Sequence, residues 1–269
     1  MMDILAYDFF RNALAGVVLL SIASAMIGTY IVARRLVAIS GGVTHACFGG
    51  LGLGYFLGVS PVATAAVFAV GSSLGVQWMS ERHSVREDSA IAVIWALGMA
   101  VGTIFIFLTP GYVPELNSFL FGNVITISRA DLLAFGVFTL VLGAFMAVKF
   151  NEIVVCAFDP DFARVRHLPV GLVTTVMTVL VAVCIVLTIR LVGVMLLMSM
   201  LALPQMSAEC FTHRFGRIML LSAAISLACS VGGLFLSTVV DVPCSALIVV
   251  LMAAAYTASK GMAALRQRR

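Results

Sequence analysis

Apolar runs of roughly 20 residues, parted by short polar breaks, account for most of this chain. They fall at about residues 12–33, 36–58, 60–80, 90–109, 131–150, 170–189, 191–207, 216–237 and 243–260. A hydrocarbon core is crossed by about 20 apolar residues in a helix. The runs are continuous, whereas the strands of a barrel would show short alternating segments, so the spans are helices. Nine spans result, or eight if the second and third make one hairpin-like unit around Gly58-Val59-Ser60-Pro61. The fold class is therefore all-α, a polytopic membrane protein of eight to nine transmembrane helices. The stretch 110–130, with Pro110, Gly111, Pro114, Glu115 and Asn117, is less apolar and is expected to lie at the interface or to re-enter.

Composition agrees with the pattern. The chain is 62% hydrophobic and 10% charged, with a mean hydropathy of +1.15, against about 25% charge in soluble domains. The N-terminal "MMDILAYDFF" carries two aspartates and no basic stretch before its apolar run, unlike a secretory signal. Loops reach only about 20 residues, too short for an appended soluble domain. Residues 1–269 read as a single transmembrane domain. The six cysteines (47, 156, 184, 210, 229 and 244) form no C-x-x-C pair and read as small buried residues.

The basic residues orient the spans. With the loop 151–169 placed in the cytoplasm, Arg34, Arg35, Arg82, Arg86, Lys149, Arg164, Arg166, Arg214, Arg217, Lys260, Arg266, Arg268 and Arg269 fall inside, and Arg11, Arg129 and Arg190 fall outside. Thirteen against three satisfies the positive-inside rule, with the N-terminus outside and the C-terminus inside. The net charge of +4 then reflects topology, and nothing else points to nucleic acid.

No P-loop, H-E-x-x-H or G-x-S-x-G motif is present, so the chain is not expected to be an enzyme. All twelve acidic residues fall in loops or at span ends. A proton- or sodium-coupled carrier usually keeps a carboxylate within the membrane, so that class is disfavoured. Of four histidines, His45 is the one inside a span, ten residues beyond Arg35. That is roughly 15 Å, near mid-membrane. Just before it, Gly41 and Gly42 are expected to break the helix, as broken helices with a polar residue at the break commonly build substrate paths. Beyond it, Gly50, Gly54 and Gly58 form a small-residue ridge for close helix packing.

The loop "CAFDPDFARVRHLPVG" reads as a short cytoplasmic helix. Asp159 suits the N-cap, Pro160 the first turn and Asp161 the positive end of the dipole. Arg164, Arg166 and His167 close it, and Phe158, Phe162 and Val165 form an apolar stripe. It is an interfacial helix or a docking helix for a soluble partner. Later, "RLVGVMLLMSMLALPQMSAECFTHRFGR" carries Pro204 and four methionines at 195, 198, 200 and 206 that read as core. Glu209 and His213, four apart, sit in a solvated charge cluster beside Arg214.

These blocks resemble a family. "RRLVAISGGVTHACFGGLGLGYFLG", "DPDFARVRHLPVG", "LVGVMLLMSMLALPQMSAECFTHRFGR" and "LSTVVDVPCSALIVVL" are similar, in order, to segments of the permease subunits of bacterial ABC importers for zinc and manganese. The resemblance implies a multi-pass protein of the bacterial cytoplasmic (inner) membrane, with a fold like that of the vitamin B12 and siderophore importers. It implies a homodimer or heterodimer of permeases, with the homodimer favoured, around a central path for zinc, manganese or iron, with an extracytoplasmic metal-binding protein for delivery. It also implies two cytoplasmic ATPase subunits that hold ATP and Mg, so this chain needs no cofactor. They would dock on about residues 156–169, through Asp159, Asp161, Phe162, Arg164 and Arg166. The family block commonly reads G-D-A-x-S-H-A; here Gly41 stands at the Asp position while His45 and Ala46 match. His45 either acts with its two-fold mate or lines a path that binds metal weakly. The alternative is a stand-alone secondary carrier or channel for metal cations.

Overall fold

The computed structural model describes residues 7–83, 85–110 and 127–267. The expected interfacial stretch 110–130 falls largely outside them. The described residues form helices and the turns between them, without strands. In chain order these are α1 (Asp8–Ala33), α2 (Val37–Leu57), α3 (Pro61–His83), α4 (Glu87–Leu108), α5 (Arg129–Phe158), α6 (Pro160–Val165), α7 (Val170–Glu209), α8 (Phe215–Val240) and α9 (Cys244–Gln267). All but α6 are long and apolar enough to cross a membrane, eight helices among the described residues. The chain is a multi-pass membrane protein.

The runs expected at 170–189 and 191–207 are joined in α7, whose 40 residues would extend about 60 Å if straight, twice a hydrocarbon core. The helix is not straight: Gly193 takes φ 79° and ψ 176°, far outside helical values. That backbone conformation is open to glycine and strained for other residues. α5 bends at Lys149 (φ −106°, ψ 17°), whose Nζ lies 2.7 Å from Glu152.

The helices gather into two compact units. One holds α2, α3, α4, α6 and the first part of α7, within residues 36–116 and 155–186. Here glycines set how closely backbones approach. A methyl on Gly50 would lie 2.5 Å from the Thr64 carbonyl oxygen, and one on Gly54 would lie 2.7 Å from Pro61 Cα. These contacts run in opposite directions along the two chains, so α2 and α3 are antiparallel. On another face of α2, a methyl on Gly52 would lie 2.5 Å from Gly102 O, and one on Gly49 would lie 2.9 Å from Gly98 O. Gly42 faces Ile91 and Gly98 faces Ala46. The pairs 42/91, 46/98 and 52/102 increase together, so α2 and α4 run parallel.

Two expectations are corrected in this unit. Gly41 and Gly42 do not break the helix: α2 is continuous from Val37 to Leu57, with both glycines buried in its first turns. Glycine's helix penalty of about 1 kcal/mol per residue is offset because, at Gly42, the missing side chain makes room for Ile91. Gly58 is not part of the packing ridge either, as nothing lies within 4 Å of a methyl placed there. It adopts φ 66° and ends α2, with Val59 N donating to Gly54 O and Gly58 N to Tyr55 O, a left-handed cap.

The other unit holds α1, most of α5, α7 from Leu187 onward, α8 and α9. α1 is buried along most of its length, including Ala13, Val17, Leu20, Ser24, Ile27, Gly28 and Ile31. α8 buries Ser222, Ser226, Ser230, Gly233 and Ser237; a methyl on Gly233 would lie 2.5 Å from Ile248 Cγ1 of α9. In α7, Pro204 lacks the N–H that would pair with the carbonyl of Met200. The Gln205 side chain supplies a substitute: its Nε2 donates to Met200 O at 3.2 Å and to Ser24 O of α1 at 2.9 Å. Gln205 is fully buried, and its amide fills the space that Gly28 leaves open.

The three arginines assigned to the outer side all pair with aspartates in this unit. Arg11 lies 4.0 Å and Arg129 3.4 Å from Asp8, and Arg190 lies 2.7 Å from Asp131. Asp131 is held by Ser128 in a reciprocal cap: Ser128 Oγ donates to Asp131 Oδ2 at 2.6 Å, and Asp131 N donates to Ser128 Oγ at 3.2 Å.

Candidate functional site

His45 lies eight residues into α2, about 12 Å along its axis. Trp95 lies eight residues into α4, so in the parallel pair the two occupy the same level. Their rings stack face to face, with centroids 4.5 Å apart and planes 3° from parallel. No hydrogen bond or ion pair to His45 is formed among the described residues. The side chain is half-buried, whereas its neighbours Thr44 and Ala46 are buried. A polar ring without a hydrogen-bond partner within a membrane span is unusual, because such a group normally finds one.

The hydroxyls beside it are not open in this way. Ser40 Oγ donates to Val37 O at 2.7 Å, and Thr44 Oγ1 donates to Ser40 O. These bonds within α2 leave the imidazole as the uncommitted polar group of this stretch. Among the described residues no cluster of three or more histidine, cysteine or carboxylate side chains is placed to hold a metal ion. One chain thus offers one nitrogen donor at this level, not a closed coordination sphere.

The second site is the loop between α5 and α7. Asp159 caps α6 as the sequence predicts, its Oδ1 accepting from Phe162 N at 2.9 Å, with Pro160 in the first turn. The helix closes with paired bonds, His167 N to Arg164 O at 2.9 Å and Leu168 N to Ala163 O at 3.0 Å. That pattern requires a left-handed residue, and His167 takes it at φ 56° where glycine is usual. Asp161 and Arg164 pair at 2.7 Å on the surface, and the Arg166 guanidinium lies 5.4 Å from the Phe162 ring centre. Ala163 faces inward and is fully buried, while Phe158, Phe162 and Val165 are exposed. An ordered short helix presents an apolar strip flanked by charge.

Sequence reasoning singled out His45 and the α6 loop as candidates and did not single out the helix that packs against His45. Trp95, Ile91, Gly98 and Gly102 bring α4 against α2. The signal was present: Gly98-Met99-Ala100-Val101-Gly102 is a G-x-x-x-G motif, and Trp95 precedes it by less than one turn. Among the described residues Glu209 and His213 gain no third metal-ligating group.

The ABC 3 transport family matches the chain over residues 6–262. A probable metal transport system membrane protein of Chlamydia pneumoniae is 36% identical over 89% of this chain and 84% of its own length. A manganese transport system membrane protein, MntC, of Halalkalibacterium halodurans is 28% identical over 93% of this chain and 85% of its own. Among solved structures, PsaBC from Streptococcus pneumoniae in complex with Fab has the same fold. Its TM-score is 0.84 at 23% identity, with 96% of this chain and 93% of that chain covered.

Proposed function

The chain belongs to the ABC 3 transport family, and from that premise we propose that it is the membrane-spanning subunit of an ATP-driven importer of a divalent metal, zinc or manganese, with iron as a further cargo. Relatives named for metal and for manganese transport support the cargo class. The observation that carries the reading to a residue is His45, an imidazole without a hydrogen-bond partner among the described residues, inside a span. A borderline-soft divalent ion takes imidazole nitrogen readily. A single donor per chain suits passage better than storage, since a full ligand set would hold the ion.

In this reading the pathway forms between two copies of the chain, and each contributes His45. An extracytoplasmic binding protein delivers the metal, and two cytoplasmic ATPase subunits drive alternation. The α6 loop is where they would bear: its exposed Phe158, Phe162 and Val165 suit an apolar cleft on a partner. Hydrolysis of ATP, with its Mg, belongs to those partners. The proposed setting is the bacterial cytoplasmic membrane, with the N-terminus outside and the C-terminus inside; among eight long helices this needs the 40-residue α7 to cross twice, turning at its break at Gly193. The arginine partition supports that orientation, and the three outer arginines are ion-paired with aspartates.

Uptake of labelled zinc and manganese into vesicles holding this chain with its ATPase and binding protein tests the proposal. ATP-dependent uptake is expected, with a large loss on His45→Ala. Uptake at full rate without ATP would replace the importer by a secondary carrier. Unchanged uptake in the variant would remove His45 from the path.

A further inference from the structure

We propose that Trp95 is a positioning residue for transport: its indole holds the His45 imidazole in the one plane that leaves both ring nitrogens free along the α2–α4 surface. The proposal rests on the reading of His45 as a pathway donor and adds a second residue to that site.

Four observations carry it. The rings are parallel within 3° at 4.5 Å between centroids, the geometry of a face-to-face, offset stack. No hydrogen bond or ion pair among the described residues sets the imidazole plane, and the Trp95 stack is its one ring contact there. Rotation about the terminal torsion of histidine is otherwise broad. The backbones are brought close around this level by glycines: Gly42 opposite Ile91 on one side, Gly98 opposite Ala46 and Gly49 on the other. Finally, Trp95 is not placed as a membrane-interface anchor. Interfacial tryptophans sit at the ends of spans, whereas this one lies about 12 Å along its helix.

The chemistry follows from the stack. A flat imidazole lying on an indole can direct Nδ1 and Nε2 only within a plane parallel to the indole face. An approaching cation therefore meets a nitrogen lone pair edge-on, and the electron-rich indole face beside it favours positive charge. Without the indole the same histidine would sample other planes and present a nitrogen to the cation in a fraction of its states. The loss would appear in apparent affinity, because the competent fraction divides into the binding constant.

The experiment uses the complete transporter in vesicles, with Mn2+ as the probe, and four variants: Trp95→Phe, Trp95→Leu, His45→Ala, and His45→Ala with Trp95→Leu. Trp95→Leu is expected to raise KM for Mn2+ about fivefold, the scale of an aromatic pair, with kcat little changed. Trp95→Phe, which keeps a flat ring, is expected to recover most of that loss. In the His45→Ala background Trp95→Leu is expected to add nothing. A residue that merely packs α4 would instead depress both parameters and add its loss to that of His45→Ala. A second readout is optical. This chain has two tryptophans, so in the purified chain, without its partner subunits, Trp78→Phe leaves Trp95 as the sole reporter, and Mn2+ is expected to quench it unless His45 is replaced. If His45→Ala abolishes uptake while Trp95→Leu behaves as wild type, the positioning role is overturned and the pathway reading stands. If His45→Ala transports normally, both fall.

Discussion

The side chain of Gln205 stands in for the N–H that Pro204 lacks, and this substitution can be measured. Gln205 Nε2 donates to Met200 O at 3.2 Å and to Ser24 O at 2.9 Å from a fully buried position. Gln205→Met keeps the length of the side chain and removes both donors. The Met200 carbonyl is then left without its helical donor in an apolar interior, which costs about 1–3 kcal/mol. Helix-to-helix bonds within membranes average nearer about 0.6 kcal/mol, which sets the scale for the Ser24 bond. Loss of the amide also removes Gln205 Oε1, which has no hydrogen-bond partner among the described residues, and so returns part of the cost. A net destabilisation of about 2 kcal/mol is expected. The discriminating step is to repeat the change in a Pro204→Ala background. That replacement restores a backbone N–H to pair with Met200 O, whereas the contributions of the Ser24 bond and of Oε1 are unaffected and cancel. The cost of Gln205→Met should then fall by about 1.5–2 kcal/mol, the cost of leaving the Met200 carbonyl without a donor. Reversible unfolding in mixed detergent micelles, followed by far-UV circular dichroism, gives the four stabilities. Equal costs in the two backgrounds, within about 0.3 kcal/mol, would refute the substitution, since independent sites add.

Further outcomes follow from the packing, the loop and the topology. Gly102→Ala puts a methyl 2.5 Å from the Phe48 carbonyl oxygen and should destabilise by about 1–3 kcal/mol through overpacking. Gly71→Ala, with nothing within 4 Å, should be neutral or stabilise by up to about 1 kcal/mol; melting temperatures of the two purified variants would show the contrast. Asp159→Ala removes the cap of α6, worth about 1 kcal/mol, and should weaken coupling of ATP hydrolysis to metal uptake more than it weakens folding. A reporter fused after Arg269 should show a cytoplasmic C-terminus, and an extracytoplasmic signal would mean that α7 crosses the membrane once despite its length and its break at Gly193.

Much of this molecule is set by composition and local pattern. Long apolar helices follow from hydropathy alone, because a backbone without water must satisfy its own polar groups; their number does not, since the second and third runs stay separate helices while the runs at 170–189 and 191–207 join in α7, which makes eight among the described residues instead of nine. α6 was legible down to its cap, since Asp159, Pro160 and the residues after them act through bonds to their own neighbours in sequence. His45 was found for a similar reason, as the cost of an ionisable group in a membrane does not depend on tertiary detail. What the glycines do was only partly legible: Gly50 and Gly54 pack closely on α3 as their spacing suggests, but others take roles that the sequence does not indicate. Gly41 and Gly42 look like a break and lie in continuous helix; Gly58 looks like packing and is a cap; Gly193, three residues beyond Arg190, is the residue that breaks a helix. A glycine weakens a helix and also admits a close neighbour, and which property is used depends on what stands opposite. Ile91 stands opposite Gly42, and nothing opposite Gly58. The same holds for Trp95 and Gln205, whose partners lie 50 and 181 positions away in the chain. Hydropathy and residue type alone place an imidazole inside a membrane span; which surface holds that ring depends on the fold, because helix-to-helix contacts are distant in sequence and are chosen by shape.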